Sequence, residues 1–277
     1  MRRFFSRIGL VWLVCGLGTL LPAQAISTPG KNLPSDIQQI KDRGELIVAM
    51  TKTDQPPFFY INSQGQLDGL DVFLANAVAS SLNVKVRFDR SAASFNDTVD
   101  ALVAGRADIA ITKLSRTLGR AQQVIFSQPY VTFHQALLIN RLQLAKYSAE
   151  EATASFVRAF KGKIGVIANS SYVGYAKTNF PQAEIVEYPT WEQAVTAGLN
   201  GDVLAIYRDE LETKKIMDQQ AGASLKLKLV ILRDLPDPIA MAMAHDRQQL
   251  QAFVNILLDS LSLNLDAGKI LRNYGNR

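Results

Sequence analysis

The sequence predicts an α/β chain of two lobes, each a mostly parallel sheet with helices on both faces, joined by two extended hinge segments. Three observations predict it. Strand-like and helix-like stretches alternate in two separate series, the order a parallel sheet covered by helices requires. An extended apolar segment follows each series, His134 to Asn140 and then Ile239 to His245, as a chain that leaves one sheet, builds another and returns would need. About 250 residues remain beyond an N-terminal leader, enough for two lobes of ordinary size.

The elements follow in order. Arg2, Arg3 and Arg7, the apolar run Ile8 to Leu21 and Ala23-Gln24-Ala25 have the layout of a secretory signal peptide, with removal expected after Ala25. The run is shorter than the ~20 residues a spanning anchor needs. Lipidation at Cys15 is the competing fate, with bulky Val14 a poor match to it; Arg2-Arg3-Phe4-Phe5 hints weakly at a twin-arginine signal. A Pro- and Gly-containing tether follows, and Ser35 is placed to cap a short helix through Gly44. The first series reads as strand 45–50, helix 71–82, strand 85–88, helix 95–103 and strand 109–112. The second reads as strand 163–168, helix 170–180, strand 184–188, helix 191–199, strand 203–207 and helix 209–219. The stretch 248–274 is helical in pattern with a break near Asp266-Ala267-Gly268, and is expected to pack back on the first lobe. The domain boundaries are then 26–36 for the tether, 37–137 with 236–277 for lobe one, and 138–235 for lobe two.

Composition excludes several classes. The one cysteine of the chain, Cys15, lies in the leader, so the mature protein can hold neither a disulfide framework nor a thiolate metal site. Three arginines behind the formal charge of +5 also leave with the leader, and a balance of about +2 does not argue for nucleic acid or an anionic membrane surface. No metal-ligand spacing and no cofactor motif is present. His134 and His245 fall in the expected hinge strands and read as structural.

The run Ala107 to Arg120 carries the most chemistry. It reads as a buried strand that ends in hydroxyls and then offers a guanidinium just past the strand's carboxyl end, where open α/β sheets place ligands. Arg120 can pair bidentately with a carboxylate; alone, it would read as a solvated helix-opening arginine. Ser115 and Thr117 add hydroxyls nearby. Asn169-Ser170-Ser171 sits where a strand meets a helix N-terminus, a site for an anion or an ordinary cap. Asp209 also lies at a strand's carboxyl end, within reach of an ammonium, or else complements a helix dipole. Glu210 is the competing acid, one residue further and so pointing elsewhere. Phe95 offers a ring to a ligand or to the core. Together these groups supply donors for a carboxylate, an acceptor for an ammonium and an apolar wall, the chemistry of a free α-amino acid.

Four segments carry a family resemblance: Gln66 to Ala75, the run through Arg120 with Phe126-Ser127-Gln128-Pro129-Tyr130, Gly165 to Ser171, and Ala205 to Asp209. On them the chain resembles the periplasmic amino-acid-binding proteins of bacterial ABC transporters (solute-binding protein family 3) and the ligand-binding core of ionotropic glutamate receptors. The resemblance covers nearly the whole mature chain. It implies the type II periplasmic-binding-protein fold, with two five-stranded sheets, and a periplasmic monomer that hands an amino acid to a membrane permease without turnover. It implies roles too: Arg120 clamping the α-carboxylate, Ser115 helping to bind carboxylate and ammonium, Ser171 with Ser170 closing from the second lobe, Asp209 receiving the ammonium, Phe95 stacking on the ligand and Lys113 contributing its carbonyl. The implied ligand-facing set is Gln55, Phe95, Lys113, Leu114, Ser115, Arg120, Ser170, Ser171 and Asp209.

The chain departs from the family pattern at several positions. Asn169 replaces a glycine, so either its backbone is left-handed or its side chain enters the pocket. Gln55 stands where many members have an aromatic. Lys113 is unusual: pointing inward it would favour an acidic ligand side chain, while the blander reading is that it snorkels to solvent. Arg208 raises the same question. Two other functions fit the scaffold, a secreted cyclohexadienyl (prephenate or arogenate) dehydratase-like enzyme using Glu210 or Asp54 as general acid, and a sensor subunit that reports its ligand to a receptor.

Overall fold

The structure, a computed structural model, describes residues 33–146 and 159–274. The expected leader, Cys15 and the tether as far as Asn32 lie outside the described residues.

Helix α1 (Ser35–Arg43) ends at Gly44 in the left-handed conformation. Ser35 is its first residue and makes no side-chain cap, contrary to expectation; Pro34 occupies the cap position. Strand β1 (Glu45–Thr51) follows, then a small hairpin of β2 (Tyr60–Ile61) and β3 (Leu67–Asp68), helix α2 (Leu70–Leu82), β4 (Lys85–Ala92), α3 (Phe95–Val103), β5 (Ile109–Ala110), one-turn α4 (Leu118–Ala121) and β6 (Val124–Phe126). The chain then enters the second lobe through β7 (Val131–Asn140), α5 (Arg141–Leu144), β8 (Lys163–Ile167), α6 (Ser171–Asn179), β9 (Glu184–Tyr188), α7 (Trp191–Asn200), β10 (Ala205–Asp209), α8 (Glu210–Gln219) and α9 (Ala223–Lys226). It returns along β11 (Leu227–Ile239) to β12 (Ala242–Ala244), α10 (Gln248–Leu261) and α11 (Ala267–Tyr274).

Two five-stranded sheets result, in the orders β4-β1-β5-β12-β6 and β11-β7-β10-β8-β9. Each holds three parallel neighbours and then one strand running against both of its own neighbours, β12 in the first and β7 in the second. Two five-stranded α/β sheets are as expected, but with half of the pairings antiparallel each is mixed rather than mostly parallel, because the strands that carry the crossovers run back against the parallel set. The hinge is made by β7 and β11, whose antiparallel register pairs Val131 with Ile239 and His134 with Pro236. The return strand therefore begins well before Ile239, and His245 falls in a turn after β12 rather than in a hinge strand.

Burial explains why these segments form strands. Successive side chains of a strand point to opposite faces: Leu46, Val48 and Met50 enter one core and Ile47 and Ala49 another. In the second lobe Leu137 and Ile139 share a core with Tyr207, while Leu138 and Ile206 face the opposite one. Strands covered on both sides are apolar throughout, which is why they were visible as runs rather than alternations. Gly69, which precedes α2, is required by space: its φ is +126° and a Cβ there would lie 2.4 Å from the Phe58 carbonyl oxygen.

Strand β5 ends two residues short of its expected limit because the chain turns sharply after Thr112. Lys113 is in the left-handed region, with φ +51°, and its N–H leaves the ladder to donate to Asp71 Oδ2 at 2.6 Å. The C-terminal helical stretch breaks between α10 and α11, where Ser262 takes a left-handed cap.

Candidate functional site

Arg120 is positioned by its own short helix. Thr117 caps α4, its hydroxyl accepting the Arg120 N–H at 3.2 Å, and the guanidinium then turns back into the protein. It donates from Nη1 to the Ser115 carbonyl at 2.9 Å, and from Nη2 and Nε to Asn96 Oδ1 at 3.0 and 3.3 Å. All these acceptors are neutral, so a buried cation, 7% exposed, has no carboxylate within ion-pair distance among the described residues. Burial brings its pKa down to about 10, opposed by Asp237 and Tyr175, so it stays charged at neutral pH.

Two spaces meet at this side chain. An open cleft of about 810 Å³ is lined by Asn96, Thr117, Arg120, Ser171, Tyr175 and Pro236, among others. Behind it lies a narrow, partly open space of about 20 Å³, lined by Phe95, Lys113, Ser115, Arg120, Ser170, Ser171, Tyr172, Arg208, Asp209, Asp237 and Ile239. That is room for about one water molecule. Both lobes supply its walls, and they touch: Ser171 Oγ donates to Ser115 Oγ at 3.0 Å. Ser170 caps α6, accepting the Tyr172 N–H and donating to the Ile167 carbonyl.

The structure thus gathers Phe95, Lys113, Ser115, Arg120, Ser170, Ser171 and Asp209 around one cavity. Gln55 and Leu114 do not join them. Gln55 instead accepts from Arg208 Nη2 at 3.2 Å across the lobes. Leu114 is fully buried in the core against Val99 and Ala240, and its carbonyl accepts the Ala240 N–H. An apolar side chain after a buried strand packs where burial is greatest, and here that is behind the site. Asn169 is exposed with φ +54°, the left-handed alternative.

Lys113 does not snorkel to solvent. It is 4% exposed and reaches into the second lobe, with Nζ 3.1 Å from Asp209 Oδ2 and 2.8 Å from Glu212 Oε1. The ammonium also lies 5.4 and 5.7 Å from the Phe58 and Phe133 ring centres, a placement that adds cation–π attraction. Inward orientation therefore satisfies the protein's own acids rather than leaving a charge for a ligand. Asp71, which accepts the Lys113 N–H and the Tyr130 hydroxyl, is pushed up to about 7 by burial despite these bonds. Burial would raise Glu212 as well, but the charges of Lys113, Lys215 and Arg208 outweigh it and hold that carboxyl well below its ordinary range.

Glu212 and Asp237 are buried acids at the site that sequence reasoning missed. Glu212 had a signal, since Asp209-x-x-Glu212 is the spacing of a capping box, and the Glu212 N–H does donate to Asp209 Oδ1 at 3.1 Å. Asp237 stands between two prolines on the hinge strand, 1% exposed, and accepts the Tyr172 hydroxyl at 2.8 Å and the Tyr175 hydroxyl at 3.4 Å. Burial, then the neighbouring Asp209, raise it to about 6. Glu210 does point elsewhere: it accepts from the His134 ring and backbone and from Lys214. Asp54 pairs with Arg90 near the surface.

Comparisons with known proteins agree on the fold. The family model described as bacterial extracellular solute-binding proteins, family 3, matches residues 46–277. A membrane-bound lytic murein transglycosylase F of Maricaulis maris is 37% identical over 108 residues, 39% of this chain. An arginine-binding periplasmic protein of Mannheimia haemolytica is 25% identical over 162 residues, 58% of this chain. The matches span 23% and 62% of those relatives' own lengths. Among solved structures, an amino acid ABC transporter substrate-binding protein of Streptococcus pneumoniae bound to L-arginine is 25% identical. It superposes with a TM-score of 0.68, covering 85% of this chain and 96% of that one.

Proposed function

The chain belongs to the bacterial extracellular solute-binding proteins of family 3, and from that premise we propose that it captures a free amino acid between its lobes and delivers it to an ABC-type permease. The observation that carries this reading is Arg120: a buried guanidinium with no carboxylate at ion-pair distance among the described residues, facing a cavity walled by both lobes. A ligand α-carboxylate supplies the missing anion, and charge-assisted pairing of this kind is the stronger class of hydrogen bond. Ser115 and Ser171, one from each lobe, give further donors, and Phe95 gives an apolar wall.

The narrow space admits no amino acid as the lobes stand, so capture requires opening and reclosing about β7 and β11. Such hinge closure is an ordinary response to a ligand in the cleft. The protein acts outside the cytoplasm as a monomer once its leader is removed, and no residue need react. Neither acid considered for an enzymatic role lines the cavity, Glu210 being held by His134 and Lys214 and Asp54 by Arg90. That speaks against dehydration by either of those two acids. No helix among the described residues is long and apolar enough to cross a membrane.

A thermal-shift screen of the mature protein against the twenty common amino acids tests the reading, with L-arginine an obvious member given what the relatives bind. A ligand at 100 times its dissociation constant adds about 2.7 kcal/mol of stability. One or a few amino acids should raise the melting temperature, and mass spectrometry of the incubated mixture should show the ligand unchanged. A flat response across the panel, or a new product, would contradict the proposal.

A further inference from the structure

In an amino-acid site the ammonium needs an anionic acceptor, and two buried aspartates line this cavity. Asp209 is already committed. Its Oδ2 receives Lys113 Nζ at 3.1 Å and lies 3.5 Å from Arg208 Nε, and its Oδ1 accepts the Glu212 N–H at 3.1 Å. Lys113 and Arg208 are both at least 95% buried, so once the lobes have closed both remain against Asp209. A ligand ammonium placed at Asp209 would have to share it with two protein cations.

Asp237 is in the opposite condition. It faces the same cavity, is 1% exposed, and among the described residues its side-chain partners are hydroxyls: Tyr172, Tyr175 and Ser115. No lysine or arginine comes within ion-pair distance of it among the described residues. A buried carboxylate without a cation is costly, and so is a buried guanidinium without an anion. The cavity therefore contains one unpaired charge of each sign, Arg120 on the first lobe and Asp237 on the hinge.

We propose that Asp237, rather than Asp209, receives the ligand's α-ammonium, and that in the closed form Lys113 occupies Asp209 and Glu212 as an ion cluster that re-forms across the lobes. The ligand class is accordingly a zwitterion, its carboxylate at Arg120 and its ammonium at Asp237, with the Ser171–Ser115 hydroxyl pair beside it. This rests on the reading that the protein binds an amino acid, and assigns the second charge of that ligand to a residue of the hinge. Anchoring the ammonium there ties occupancy to the strand about which the lobes move.

The groups that face Asp237 are Tyr172 and Tyr175 from α6, Asp209 and Tyr207 from β10, Ser115 and Lys113 from the turn after β5, and Arg120 from α4. Burial and Asp209 favour its protonated form, and its pKa stands near 6. An ammonium beside it favours the ionised form, so a ligand that carries one should drive off a proton when it binds near pH 6.

The test uses matched pairs on the mature protein: L-arginine with 5-guanidinopentanoate, L-glutamate with glutarate, L-leucine with 4-methylpentanoate and L-alanine with propionate. Affinities are measured for the wild type, Asp237→Asn and Asp209→Asn, with ligand-free melting as a check on folding. In the wild type, whichever amino acid binds should exceed its partner lacking the ammonium by at least tenfold. Asp237→Asn should reduce that ratio to about one, while Asp209→Asn should retain it. A ratio that survives Asp237→Asn and collapses in Asp209→Asn overturns the proposal and leaves the amino-acid reading standing. Binding of none of the twenty amino acids in the screen overturns both. Should Asp237→Asn not fold, calorimetry of the wild type near pH 6 in buffers of different ionisation enthalpy decides: protons released with the amino acid support the proposal, and no release overturns it.

Discussion

Ser171 Oγ donates a hydrogen bond to Ser115 Oγ across the cleft at 3.0 Å, joining the N-terminus of a second-lobe helix to the turn that precedes Arg120 in the first. Two hydroxyls from different lobes meet at a cavity with room for about one water. A ligand bound beside them can take up the hydrogen-bonding capacity of either. Ser171→Ala is therefore expected to weaken amino-acid binding by about three- to tenfold, the size of one ordinary hydrogen bond, with little change in ligand-free melting. Isothermal calorimetry checks it.

Lys113 is the cation of a buried cluster that spans the lobes. Replacing it by Met leaves Asp209 and Glu212 buried without its charge, and breaking a buried pair from one side costs about 3–5 kcal/mol. Lys113→Met should lower the melting temperature by many degrees. Combining it with Glu212→Gln should recover part of the loss, because one of the stranded acids is then neutral. Chemical denaturation of the three proteins gives the comparison.

Asp71 gives stability a pH dependence. Its carboxyl is held at about 7 in the fold by burial, against an ordinary value of 3.8. Between those values the unfolded chain has released a proton that the folded chain keeps, so this group opposes folding increasingly as pH rises from about 4 to 7 and changes nothing above. The full effect is of order 4 kcal/mol. The stability of the wild type relative to Asp71→Asn should fall across that window and level off above it. A difference that stays constant from pH 4 to 8 would contradict the assignment.

Gly69→Ala should destabilise the first lobe. Its backbone is strained for any side chain, and the added carbon would sit against the Phe58 backbone. A loss of at least about 2 kcal/mol is expected, measured by thermal unfolding.

The periodic elements were legible because their signal is local. Strand β1 reads as a run of apolar residues in the sequence and is buried on both faces in the fold; α3 spans its expected 95–103, its start held in the structure by the capping box of Ser94 and Asp97. The hairpin β2–β3 escaped notice, having only two residues in each strand. Most of β11 escaped too, since Lys228, Arg233 and Asp234 interrupt its apolar pattern and its partner β7 lies some ninety residues away. Within the site, Arg120 and Ser171 could be placed from their positions at strand and helix ends. Lys113 could not, because its direction depends on a left-handed turn held by Asp71 and on acids in the other lobe. Asp237 was invisible for the same reason: only the pairing of two distant strands brings it to the cavity.

The central claim is that Arg120 is the carboxylate anchor of an amino-acid site. Calorimetric titration of the wild type and Arg120→Ala with whichever amino acid gives the largest thermal shift tests it most directly, with ligand-free melting as the control for folding. At least a tenfold loss of affinity is expected, since a lost charge-assisted pair costs at least about 1.5 kcal/mol. A folded Arg120→Ala protein that binds the same amino acid within threefold of the wild type would contradict it.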